Sequence, residues 1–61
     1  MKYRVQTATG ETIVNDISDA VAYFQGYYNE IAANKSDAEQ EIISQIFVAY
    51  LLSTGKITLL N

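Results

Sequence analysis

Three carboxylates close together, Asp37, Glu39 and Glu41, form the densest group of chemistry-bearing side chains in the sequence. Asp37 and Glu41 stand four residues apart, so on a helix they share a face and could hold a hard cation such as Mg²⁺ or Ca²⁺. No EF-hand spacing or glycine accompanies them. Acidic residues at a helix start have a simpler role, complementing the positive end of the helix dipole, and that reading is adopted. The chain has no His and no Cys, which removes the commonest general base, the thiol nucleophile and the usual transition-metal ligands. Gly10, Gly26 and Gly55 are isolated, so no glycine-rich phosphate loop is present. The expectation is a protein that is not an enzyme and carries no cofactor and no metal.

The charged residues suggest binding rather than catalysis. Lys2, Arg4 and Lys56 fall on strand-like segments with the same outer parity, a candidate anion-binding group; basic residues on strands also discourage edge-to-edge aggregation. Net charge is −3, and four cations are too few to neutralise a run of phosphates, so direct binding to nucleic acid is not expected. Asp16, Asp19, Glu30, Asp37, Glu39 and Glu41 could instead imitate a phosphate track and block a DNA-binding protein.

These residues must be positioned by a very small fold. A chain of 61 residues is one domain, and at this size folding buries only about 60% of the surface that the unfolded chain exposes. Small domains usually gain the missing stability from disulfides, a metal or a partner, and the first two lack their residues here. Residues 2–8 alternate, with Tyr3, Val5 and Thr7 on one side and Lys2, Arg4 and Gln6 on the other, the period-two pattern of a half-buried strand. Thr9-Gly10 reads as a two-residue turn into a second strand over 11–14, pairing Val5 with Val14.

Ile17, Ala20, Val21, Phe24, Tyr28 and Ile31 recur at helical spacing, predicting one helix over 17–33 with Asp16 as its N-cap. Gly26 weakens that helix unless something approaches closely there. Asn34 suits a left-handed helix end, and Ser36-Asp37-Ala38-Glu39 is a capping box opening a second helix over 37–54, stopped by Gly55. In this setting Asn34-Lys35-Ser36 serves capping rather than glycosylation. Residues 56–60 form a third strand. The expected class is α+β, ββααβ, a three-stranded sheet in order 2-1-3 packed on an antiparallel two-helix hairpin. Counting direction changes makes strand three parallel to strand one.

"IFVAYLL", Ile46 to Leu52, leaves little room for a polar side on the second helix. The apolar stretch containing it is too short for a bilayer, which needs about 20 residues. On a wheel centred at Ile43, the side chains of Ile42, Ile46, Phe47, Ala49, Tyr50 and Leu51 turn towards the core, whereas Val48 and Leu52 fall on the opposite side. Ile13 and Leu60 point outward from the sheet, and Tyr23 and Tyr27 sit at the margin of the first helix. Tyrosine offers a large rigid contact with a polar tip. Val48, Leu52, Tyr23, Tyr27, Ile13 and Leu60 are therefore the candidate interface.

Composition and patterning imply a non-catalytic protein–protein interaction module, a small self-associating regulator or inhibitor of the kind phages and mobile elements encode. It is expected to form a homo-oligomer, most simply a dimer, and to bind an unknown protein partner. No apolar leader follows Met1, and no membrane association is expected, which fits a cytoplasmic location. The alternatives are the acidic mimic described above and a binder that sequesters a small anionic ligand, such as a nucleotide, against Lys2, Arg4 or Lys56 at a dimer interface.

Overall fold

In the computed structural model, which describes residues 1–60, two strands, β1 (Tyr3–Thr7) and β2 (Gly10–Val14), lead into three helical segments. These are α1 (Ile17–Ala22), α2 (Gln25–Ala32) and α3 (Asp37–Ser53), and β3 (Ile57–Leu59) follows. The strands form one sheet in the order β2-β1-β3, as expected from placing the long first strand in the centre. The fold is α+β, with the helices packed over one face of the sheet.

β1 and β2 pair antiparallel with Tyr3 opposite Val14, Val5 opposite Thr12 and Thr7 opposite Gly10. The hairpin loop is therefore Ala8-Thr9 rather than Thr9-Gly10, a shift of two positions from the expected pairing. A slip of two keeps every side chain on its original face, because strand side chains alternate with period two. The expected inner row of Tyr3, Val5, Thr7, Thr12 and Val14 thus survives the change. Gly10 has φ +132°, a region that side-chain-bearing residues rarely enter, which explains why the glycine opens β2 instead of sitting within the loop.

β3 runs antiparallel to β1, with Val5 opposite Ile57 and Tyr3 opposite Leu59, correcting the parallel orientation expected from counting. That count treats 17–33 as one rod, and the chain contains two. The helix breaks at Tyr23-Phe24, where Tyr23 N–H donates to Ala20 O at 3.2 Å and Phe24 N–H to Val21 O at 2.9 Å. These three-residue spacings tighten the last turn of α1. Phe24 then packs against the core. α1 meets β1 and β2, whereas α2 meets α3, so the break redirects the chain from sheet to helix partner. The buried positions change with it: Ala20 is buried on α1 and Ala32 on α2, leaving Ile31 45% exposed.

The caps follow the sequence closely. Asp16 accepts from Ser18 N–H at 3.2 Å, and Ser36 and Glu39 exchange the reciprocal bonds of a capping box. Asn34 has φ +63° and Gly55 +78°, the left-handed geometry that ends a helix.

Val5, Ala20, Phe47, Leu51 and Ile57 form the centre of the core, flanked by Tyr3, Val14, Ile17, Val21, Phe24 and Tyr28. α3 contributes its Phe47–Leu51 side, with Ile43, Ser44 and Val48 half-buried. Relative to the expected wheel, the inward face is turned by roughly 70°. Ile42, Ile46 and Tyr50, expected inside, are exposed, as is Ala49. Val48, expected outside, is half-buried. Gln40 accounts for part of the rotation: its side-chain amide donates to the carbonyls of Lys35 and Ala32 at 3.1 and 3.4 Å. Tyr28 OH donates to Gln40 O at 3.1 Å. These bonds hold a polar residue on the inward side near the start of α3 and fix the helix rotation.

The packing predicts an ordering of stabilities measurable by urea unfolding at a fixed protein concentration. Leu51→Ala removes a side chain that is 1% exposed and costs about 2–5 kcal/mol. Ile46→Ser, at a position 63% exposed within one copy, costs less than about 1 kcal/mol once dilute enough to be monomeric. The reverse ordering would place the core on the other side of α3.

Candidate functional site

α2 and α3 flank an open apolar groove of about 320 Å³, lined by Tyr27, Ile31, Ile43, Ile46, Phe47 and Tyr50. Its construction follows from the local sequence. Tyr27 and Ile31 are four apart and line up along α2; Ile46 and Tyr50 do the same on α3. The floor is Phe47, whose ring lies 5.7 Å from that of Tyr28 and tilted by 57°. Tyr28 is anchored in turn to Gln40, so floor and wall are tied together. Apart from the phenols of Tyr27 and Tyr50, the lining is wholly apolar. It offers shape and apolar surface, the material of recognition rather than of proton transfer.

Ile42 continues this surface along α3, at 58% exposed, and Ile46 and Tyr27 are the most open members at 63% and 66%. By angle, Ile42, Ile46, Ala49 and Tyr50 span about 100° of the helix circumference, directly beside the arc that meets the core. The exposed surface of the molecule, 4336 Å², exceeds by about a tenth the roughly 3,950 Å² typical of a monomer of this mass.

The residues expected at an interface divide among several places. Tyr27 lines the groove. Tyr23 is exposed at the α1–α2 break, and Leu52 is 42% exposed on another side of α3. Ile13 lies on the outer face of the sheet, opposite Arg4 across the ladder. Leu60 is half-buried and donates its N–H to Lys2 O at 2.7 Å. The sequence reading missed Ile31, Ile42, Ile46 and Tyr50 because it assigned them to the core. One signal for them was present: the apolar arc of α3 covers more of the circumference than a single packing face can occupy.

The three cations expected to share a face do not gather. Arg4 lies on the outer side of the sheet, opposite Ile13 and Thr58, but Lys2 precedes β1, and Lys56 precedes β3 and lines a small recess with Phe24, Tyr27, Phe47, Tyr50 and Leu51. Strand parity does not extend to a residue outside the strand. The recess has a volume of only about 40 Å³, close to the share of one water molecule and too small for a nucleobase. Lys56 thus marks one end of the groove.

The acids are distributed over all three helical segments. Asp16 and Asp19 stand at the start of α1, Glu30 on α2, and Asp37, Glu39 and Glu41 at the start of α3, all exposed. Among the described residues, no group of three metal-ligating side chains is assembled. No described helix is long and apolar enough to cross a membrane. Glu39 has its carboxyl held below the ordinary value of 4.5, first by the Ser36 backbone N–H and then by the Ser36 hydroxyl, with burial opposing them and the nearby Lys35 charge contributing least. Gly26, at the second position of α2, has an ordinary helical φ, and an added Cβ would meet nothing within 4 Å. No close approach within this copy requires the glycine.

No family model, no curated protein and no solved structure matches this chain.

Two predictions follow from these local environments. A group whose folded pKa is depressed stabilises fully above its unfolded pKa and loses that stabilisation as pH falls through the folded value. Melting midpoints followed from neutral pH to below 4.5 should therefore fall more steeply for the natural chain than for Glu39→Gln, which keeps the cap acceptor without the charge. Equal slopes would remove Glu39 from the acid response. Gly26→Ala should raise stability by a few tenths to about 1 kcal/mol in urea; destabilisation would reveal a close contact at that position.

Proposed function

We propose that the chain is a non-catalytic protein–protein interaction module, a small regulator or inhibitor that lives in the cytoplasm and acts by holding another polypeptide in the groove between α2 and α3. Self-association belongs to the same reading. The observation that carries it is the groove itself: a preformed apolar channel bounded by Tyr27 and Tyr50, next to a helix flank that the fold leaves uncovered. Contiguous exposed apolar surface of this kind marks an interaction site in soluble proteins.

A helix-in-groove mode fits its chemistry, since apolar anchors at three- and four-residue spacing supply most of the contact and the tyrosines offer polar rims. The absence of His and Cys from the sequence supports the non-catalytic half of the reading. Placement of Lys56 away from Lys2 and Arg4 takes support from anionic-ligand sequestration, and the scattering of the acids takes it from nucleic-acid mimicry.

The test compares baits. Immobilised natural chain should retain a defined polypeptide, its own tagged copy included. Retention should fall at least about tenfold for Ile46→Glu, a 1.4 kcal/mol loss or more, and remain for Lys2→Glu and Arg4→Glu. Equal retention by the natural and Ile46→Glu baits, both folded by circular dichroism, would contradict the assignment to the groove.

A further inference from the structure

We infer that the occupant of the groove is a second copy of this chain, packed through α3 in an antiparallel, two-fold arrangement centred near Ile46. The inference rests on the interaction-module reading and names the partner for the same surface.

The first argument is area. Tyr27, Ile31, Ile42, Ile46 and Tyr50 are each 45–66% exposed, on the order of 100 Å² for each tyrosine and somewhat less for each isoleucine, thus roughly 400 Å² together. A standard interface covers about 800 Å² on each partner, and homodimer interfaces are about 65% apolar, which corresponds to roughly 520 Å². The uncovered apolar surface is of the order that one side of such a dimer supplies. It also gathers on one side of the molecule, so a single partner can cover it.

The second argument is charge, and it sets the direction. The uncovered flank of α3 has an acid at one end and a cation at the other. Glu39 lies on the angular line of Ile46 and Tyr50, just before them on the helix, and Lys56 lines the recess at the Tyr50 end. A parallel pairing would bring each Glu39 beside its own copy and would align the helix dipoles unfavourably. An antiparallel pairing centred at Ile46 brings each Glu39 towards the partner's Lys56, twice by symmetry, and opposes the dipoles. Ile42 then falls opposite the partner's Tyr50, because the two positions are equidistant from Ile46. Ala49, small and exposed, lets the helix backbones approach. An isologous two-fold contact of this kind is closed and leaves no patch to propagate into fibres.

The sequence contains no cysteine, so single introduced thiols report the geometry without background. The natural chain should sediment at twice its 6.8 kDa, and Ile46→Glu at half that value while keeping its circular dichroism. With a short bifunctional thiol reagent, Ile46→Cys should cross-link to itself. Ile42→Cys and Tyr50→Cys should cross-link poorly alone and efficiently when mixed. Self-cross-linking of Ile42→Cys and of Tyr50→Cys, without the mixed product, would overturn the antiparallel arrangement. A natural chain that remains at 6.8 kDa up to millimolar concentration would overturn the inference altogether. If the bait comparison still depended on Ile46 in that case, the groove would serve a different protein and the module reading would stand. If it did not, both would fall. A dimer whose mass is unaffected by Ile46→Glu would place the contact elsewhere and overturn the inference as well.

Discussion

The constraint on which the rest of this structure depends is the width of the apolar arc on α3. One side of a helix can be covered by a three-stranded sheet with strands of three to five residues, and that side is taken by Phe47 and Leu51. The neighbouring side, from Ile42 to Tyr50, is left exposed. None of the six described elements lies over it, and without Cys or His neither a disulfide nor a zinc site compensates. The groove is the geometrical result of that shortage of covering material.

The break between α1 and α2 shapes the consequence. A single helix over 17–33 would have spent its apolar stripe on one partner. Splitting at Tyr23-Phe24 lets α1 pack on β1 and β2 while α2 turns to α3, and the redirected stripe buries Tyr28 in part and Ala32 almost fully. Tyr27 and Ile31 are thereby left to form a wall. The same break adds a change of direction before β3. The hydrogen bonds of Gln40 and Tyr28 fix how far α3 is rotated against that wall, so a few polar contacts decide which apolar residues remain in water.

Local chemistry was legible in the sequence wherever a short-range rule applied. Asp16, the Ser36–Glu39 capping box, Asn34 and Gly55 all marked helix ends correctly, since each acts through atoms within a few residues. The sheet order was readable from placing the long strand in the centre and the inner row from alternation, and the row survived a two-position slip because such a slip does not change sides. What escaped were matters settled at long range. The direction of β3 depended on an unpredicted break, and the rotation of α3 depended on Gln40 reaching carbonyls on the preceding turn. A wheel drawn for α3 alone shows a wide apolar arc but contains no information on which part the sheet will choose. The width of the arc was the readable signal that some part would be left over.

The central claim is that one copy leaves this flank bare and a second copy covers it, so folding and association are linked. The dependence of the melting midpoint on protein concentration tests that link most directly, because a contact made only by the folded chain raises the midpoint by mass action. The account predicts a midpoint that rises steadily over a roughly hundredfold increase in concentration and an Ile46→Glu chain whose midpoint stays fixed. A natural chain melting at the same temperature across that whole range would contradict it.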